Sequence, residues 1–169
     1  AEQTAGDNSM RSEQEVNRTI ELYSNMVRRI CMIHLKNYAD TEDIFQTVFL
    51  KYALSSISFE NERHERSWLI RITINACKDL LKSFFHSRVT SLDEIIEKPE
   101  AMREDHTEVL EAVLSLPQKY RDIIYLHYYE DYTAPEISRI LGKKVNTVYT
   151  LLTRSKQMLR EKLGGDEDE

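Results

Sequence analysis

Between Thr133 and Gly142 the chain carries both ends of a short helix, and a second helical pattern begins three residues later. Thr133 suits the cap position, and Pro135 fits a first turn, where an amide donor is not needed. Gly142 can take the positive φ that closes such a helix. The spacing predicts one helix over 134–141 and another from about Val145, with Val148, Leu151 or Leu152, and Leu159 turned inward. Helix, glycine-containing turn, helix is an arrangement whose second helix can enter the major groove of DNA. The charge agrees with that use. Residues 134–163 hold seven basic side chains against two acidic ones, in a chain of formal net charge −6.

Helix breakers are scarce throughout. Four glycines and three prolines (Pro99, Pro117 and Pro135) interrupt 169 residues, so an all-α fold is expected. Pro117 opens a helix predicted through Tyr129, with Ile123 or Ile124, Leu126, and Tyr128 or Tyr129 on its inward side. The clustered glycines that cradle nucleotide phosphates are missing. No apolar run approaches the ~20 residues of a bilayer span, and the polar first residues do not read as a secretory signal. Cys31 and Cys77 suit a reducing cytoplasm. Cys31 and His34 lie three apart without a second ligand pair at a zinc-like spacing, so both are expected to pack on a helix. No nucleophile, base and orienting acid assemble; neither metal, cofactor nor enzymatic activity is expected.

Charge divides the chain. Residues 83–109 hold seven acids and three bases, which marks a linker between two helical units. The predicted organisation is a flexible N-terminus or expression remnant over 1–14, a first unit over 15–83, a linker over 84–108, a helix-turn-helix unit over 109–163 and an acidic tail over 164–169. In the first unit, Ile20, Tyr23, Val27, Ile30 and Leu35 follow a helical period. Asp40 is the predicted cap of the next helix, with Glu42 and Asp43 in its first turn. Ile44, Phe45, Val48, Phe49 and Tyr52 form its apolar stripe. A third helix places Leu69, Ile72, Ala76 and Leu80 on one face. Arg71, Asn75, Lys78 and Lys82 form a polar and cationic stripe on another.

Taken together, "DTEDIFQTVFLKYA", "SWLIRITINACKDLL" and "LPQKYRDIIYLHYYEDYTAPEISRILGKKVNTVYTLLTRSKQMLREKL" resemble bacterial RNA polymerase sigma factors of the extracytoplasmic-function (ECF) type. The resemblance spans about residues 15–163 and rests on two unlike modules in the family's order and spacing. It implies a sigma-2-like domain followed by a sigma-4-like domain. The partners it implies are core RNA polymerase, promoter DNA and an anti-sigma factor that restrains the protein, with no membrane insertion and a cytoplasmic location.

Site residues follow by position. For the −35 duplex, Lys143, Lys144 and Asn146 are expected at the DNA backbone, Tyr149, Thr150, Thr153 and Arg154 toward the bases, and Lys156 at a phosphate or base edge. For the −10 element the resemblance implies Asn61, Glu62, Arg63, His64, Arg71, Asn75 and Lys78, with Phe59 available to stack on a base and Trp68 as core support. For the polymerase surface it implies Asp40, Glu42, Asp43 and Gln46. The family usually has basic residues where this chain has Tyr149 and Leu151, and often has Glu where it has Thr47. The linker acids Asp93, Glu94, Glu97, Glu100, Glu104, Asp105 and Glu108 would enter the polymerase's basic cleft, or simply keep a tether soluble.

Each set has a plainer explanation. Charged stripes can be solvated helix faces, and acids at a helix start match its dipole. Two other functions are open: a stand-alone helix-turn-helix regulator binding operators as a dimer, and a non-DNA adaptor occupying a polymerase or anti-sigma surface through its helices.

Overall fold

The computed structural model describes residues 10–87 and 107–164. The predicted linker acids other than Glu108 lie outside the described residues, as does the tail beyond Gly164.

The first three helices form a bundle: α1 Glu13–Leu35, α2 Tyr38–Leu54 and α3 Glu62–Ser87. Ser12 caps α1, its hydroxyl accepting from the Glu15 amide at 3.2 Å, with Glu13 and Glu15 near the positive end of the dipole. Lys36 ends α1 in the left-handed conformation at φ 54° and donates its amide to the Met32 carbonyl. Only Lys36 and Asn37 separate α1 from α2, and Asn37 is the cap of the second helix. It is extended, and its side chain accepts from the Asp40 amide at 3.0 Å. The cap of α2 is therefore Asn37 and not Asp40. The abrupt left-handed end of α1 lets the next helix start early, which leaves Asp40 inside the first turn.

The core of this bundle holds Tyr23, Val27, Ile30, Ile44, Val48, Phe49, Tyr52, Leu69, Ile70, Ile74, Ala76 and Cys77. Of the face predicted for α3, Leu69 and Ala76 are buried, whereas Ile72 and Leu80 are half-buried. Asn61 starts α3: its carbonyl accepts the Glu65 amide, and its side chain accepts the His64 amide at 2.8 Å.

Four further helices follow: α4 Thr107–Leu114, α5 Gln118–Tyr128, α6 Ala134–Leu141 and α7 Val145–Leu163. α5 packs on α7 from one side and on α1 from the other. Ile123 and Ile124 are accordingly both buried, together with Tyr120, Arg121, Asp122, Tyr125 and Leu126. The end of α5 is open instead: Tyr128 is exposed and Tyr129, stacked on Tyr125, is half-buried. Thr133 and Glu136 close a reciprocal capping box at the start of α6, and Gly142 ends α6 at φ 65°. An added Cβ at Gly142 would meet nothing within 4 Å, so the requirement for glycine is one of backbone conformation alone.

Two seams join the halves. Along α1 and α5, His34 lies buried with its Nδ1 donating to Asp122 at 2.9 Å, while Gln118 donates to its Nε2. At α3 and α6 the contacts are more exposed, and they are described below.

Candidate nucleic-acid interface

α7 is presented outward because Val148, Leu151, Leu152 and Ser155 take its inner side against α5 and α6. The remaining face holds Lys143, Lys144, Asn146, Tyr149, Thr150, Thr153 and Arg154, all exposed. Its first turn contains no acid, and no side chain caps it. The free amides and the positive end of the dipole thus lie beside two lysines, a combination suited to a phosphate. Among the described residues Lys143, Lys144 and Arg154 form no ion pair. Thr150 and Thr153 donate their hydroxyls to the carbonyls of Asn146 and Tyr149, each at 3.0 Å. Their methyl groups and hydroxyl lone pairs remain for a partner. Lys156 is set apart from the others: it is half-buried, with Nζ 5.7 Å from the Tyr128 ring.

The residues implied for the −10 element gather at the start and along one side of α3. Asn61, Glu62, Arg63 and His64 are exposed, as are Arg71 and Asn75, while Lys78 is half-buried. Several are already engaged. Asn61 caps α3, and His64 Nδ1 accepts the Glu60 amide at 3.1 Å. Glu62 lies 3.6 Å from Arg18. Arg63 directs Nε and Nη2 to one oxygen of Glu136, at 3.0 and 2.6 Å, and lies 4.7 Å from the Tyr132 ring. Arg66 pairs with the buried Glu130, whose other oxygen accepts from Tyr125 at 2.6 Å. Burial pushes the Glu136 carboxyl upward, but the donors from Arg63 and Thr133 outweigh it and hold the group below its ordinary value. Burial, followed by the nearby Glu130, raises the Tyr125 phenol.

Phe59 packs against the core, 5.5 Å from Trp68 and 5.2 Å from His64. Arg11, which precedes the first unit predicted from the sequence, fixes this loop. Its guanidinium donates to the carbonyls of Tyr52 and Ile57 and lies over the rings of Tyr52 and Phe59 at 4.5 and 5.1 Å. No periodicity signals a single arginine outside a helix, so pattern alone does not find it.

On α2, Asp43 and Gln46 are exposed, Asp40 is half-buried, and Glu42 accepts from Arg28 at 3.0 Å. Leu50 and Leu54, exposed at 60% and 59%, continue the line from Asp43 and Gln46 at helical spacing. Two leucines left in water on the face of a well-packed helix suit a protein partner. The rule that places leucines inward hides them in the sequence.

A helix-turn-helix with a bare cationic face, attached to a three-helix bundle, defines a DNA-reading protein of two helical units. Residues 19–84 match Sigma-70 region 2 and residues 106–159 match Sigma-70, region 4. RNA polymerase sigma factor SigV of Bacillus subtilis is 36% identical over 139 residues, covering 80% of this chain and 82% of that protein. ECF RNA polymerase sigma factor SigW of the same species is 26% identical over 161 residues, covering 85% and 86%. Among solved structures, the sigma factor RpoE in complex with the anti-sigma factor NepR, from Bartonella quintana, superposes with a TM-score of 0.73 at 18% identity, covering 91% of this chain and 99% of that one. CnrH in complex with the cytosolic domain of CnrY gives 0.63 at 20% identity, covering 92% of each chain. The chain belongs to the ECF group of RNA polymerase sigma factors, proteins that join core polymerase and direct promoter-specific initiation. Among the described residues no helix is long and apolar enough to cross a membrane.

Proposed function

We propose that this sigma factor sets α7 in the major groove of the −35 element, brings the start and polar side of α3 to the −10 element, and rests on core polymerase through the outward line of α2. The observation that carries this reading is the α7 face, where Lys143, Lys144 and Arg154 stand exposed and unpaired among the described residues beside uncapped amides. Lysines at the helix start supply phosphate attraction without regard to sequence. Arg154, Tyr149 and the two threonine methyls, farther along, have the reach and chemistry for base edges. On α2, Asp43 and Gln46 offer polar contacts and Leu50 and Leu54 an apolar one.

The −10 role of Asn61 and His64 is partly indirect, since both hold the first turn of α3. Arg71, Asn75 and Lys78 are the groups left to meet a separated strand, joined by Arg63 when it leaves Glu136. The chemistry of RNA synthesis belongs to the polymerase. We place the protein in the cytoplasm, restrained by an anti-sigma factor, the class of partner with which the similar sigma factor RpoE was solved. The test is reconstituted transcription with core polymerase and a genomic promoter library. Initiation at a defined subset of promoters is expected, and no stimulation by the folded chain would reject the reading.

A further inference from the structure

Four lysines from three separate elements line one cavity of about 310 Å³. Lys78 and Lys82 stand one turn apart on α3, Lys119 lies in the first turn of α5, and Lys143 in the turn that joins α6 to α7. None of the four belongs to an ion pair among the described residues. Lys119 lies 5.0 Å from the Tyr120 ring, a contact that leaves its charge uncompensated. Asp122 is the one acid among the described lining residues, and it is already committed to His34 at 2.9 Å. Beside it, Arg121 is only 7% exposed; its Nη2 reaches the His34 carbonyl at 3.4 Å, while its Nε has no partner among the described residues. The start of α5 adds to the positive field, with no acid in its first turn and no side chain capping it. Like charges gathered around one space repel, and an anion placed among them removes that cost.

We infer that this cavity is a binding site for a small molecule carrying a triphosphate, held by Lys78, Lys82, Lys119 and Lys143. Two sources share that chemistry, a nucleoside triphosphate and inorganic triphosphate. Ammonium groups are mobile point donors for phosphate oxygens, and four of them suit a chain of phosphates better than a single one. The volume lies near the lower end of pockets that enclose small molecules, about 300–1,000 Å³. Leu81 and Leu141, both half-buried, give the cavity an apolar wall. Such a wall suits the face of a nucleoside and offers nothing to an inorganic ion, which favours the nucleotide. A ligand seated here ties α3 to α5 and to the α6–α7 turn, and so stabilises their packing in proportion to its occupancy. The site stands on the cavity and its lysines alone. Its consequence for transcription rests on the reading above: ligand and promoter compete for Lys78 and Lys143.

The test uses the full chain and reads lysine acetylation by mass spectrometry. The probes are ATP, GTP, inorganic triphosphate, adenosine and a short single-stranded oligonucleotide, all at one ionic strength. ATP or GTP is expected to slow acetylation of Lys82 and Lys119 by about fivefold near saturation, with Lys51 on α2 unaffected and adenosine without effect. In calorimetry, Lys82→Gln with Lys119→Gln, at two exposed positions outside the DNA assignments, should weaken ATP binding about tenfold or more. Lys51→Gln with Lys162→Gln removes the same charge elsewhere and should change it by less than about twofold. Tighter binding of ATP and GTP than of triphosphate supports the nucleotide as the source, and equal binding supports the inorganic ion. Protection by the oligonucleotide equal to that by ATP, at matched phosphate concentration, would overturn the small-molecule site in favour of a DNA track. Unchanged acetylation with every probe, or an equal loss in both double variants, would overturn it too. None of these results bears on promoter-specific initiation, whose failure would be seen in the transcription assay and would leave the site standing.

Discussion

The outer face of α7 and the start of α3 carry similar chemistry, arginine or lysine beside asparagine, but stand in opposite conditions. On α7 the cations have no acid opposite them among the described residues. On α3, Arg63 and Arg66 are held by Glu136 and Glu130 across the seam. The difference lies in what lies next to each face. α7 uses its apolar side within its own bundle, which leaves the polar side to solvent. The start of α3 is where one bundle meets the other. A surface built for anions will take a carboxylate when one is offered at 2.6 Å, so the same residue type is available in one place and occupied in the other.

The sharpest way to break the comparison is Arg154→Ala. Affinity for a −35 duplex is expected to fall by ~1–3 kcal/mol, mainly through one base-pair position, with single-strand binding unchanged. Equal losses on every duplex would make Arg154 a phosphate contact. Next in size is Arg11→Ala, which removes two side-chain hydrogen bonds, to the carbonyls of Tyr52 and Ile57, and two ring contacts that hold the loop ahead of α3. Loss of ~1–2 kcal/mol of stability and faster exchange over residues 55–60 are expected, with −35 binding unaltered. Arg11→Lys should not restore the loop, because an ammonium cannot span carbonyls of Tyr52 and Ile57 together.

Lys143→Ala should weaken all duplexes alike and reduce the slope of log affinity against log salt by about 1. A sequence-dependent loss would move Lys143 to the bases. The smallest effect concerns pH. Glu136 is held below its ordinary value when folded, so its contribution is present above that value and is lost as pH falls through the lowered one. Below about pH 4 the α6 cap and the α3–α6 contact should loosen together, by less than about 1 kcal/mol. Tryptophan fluorescence would detect the change through Trp68, which lies in the next turn of α3.

Local order was legible in the residues and long-range contact was not. Thr133, Pro135 and Gly142 marked the ends of α6 because capping chemistry is a property of a few adjacent residues. Asn37 was missed because its role depends on Lys36 adopting a left-handed conformation, which lysine composition does not announce. The choice between Ile123 and Ile124 could not be made from a one-face rule, since α5 is covered on two sides. Arg63 and Glu136 are 73 residues apart, and each belongs to a pattern that is complete without the other. The exposed cations of α7 could be placed from spacing alone, whereas the occupied ones on α3 required the fold.

Cys31 on α1 and Cys77 on α3 are both fully enclosed, and a hydrogen bond with Cys31, then burial, raises the Cys77 thiol far above its usual range. An alkylating reagent can reach neither sulfur until those two helices separate. The pace of alkylation is therefore a built-in stopwatch for opening of the first bundle, readable by mass alone and silent to any motion confined to the other half.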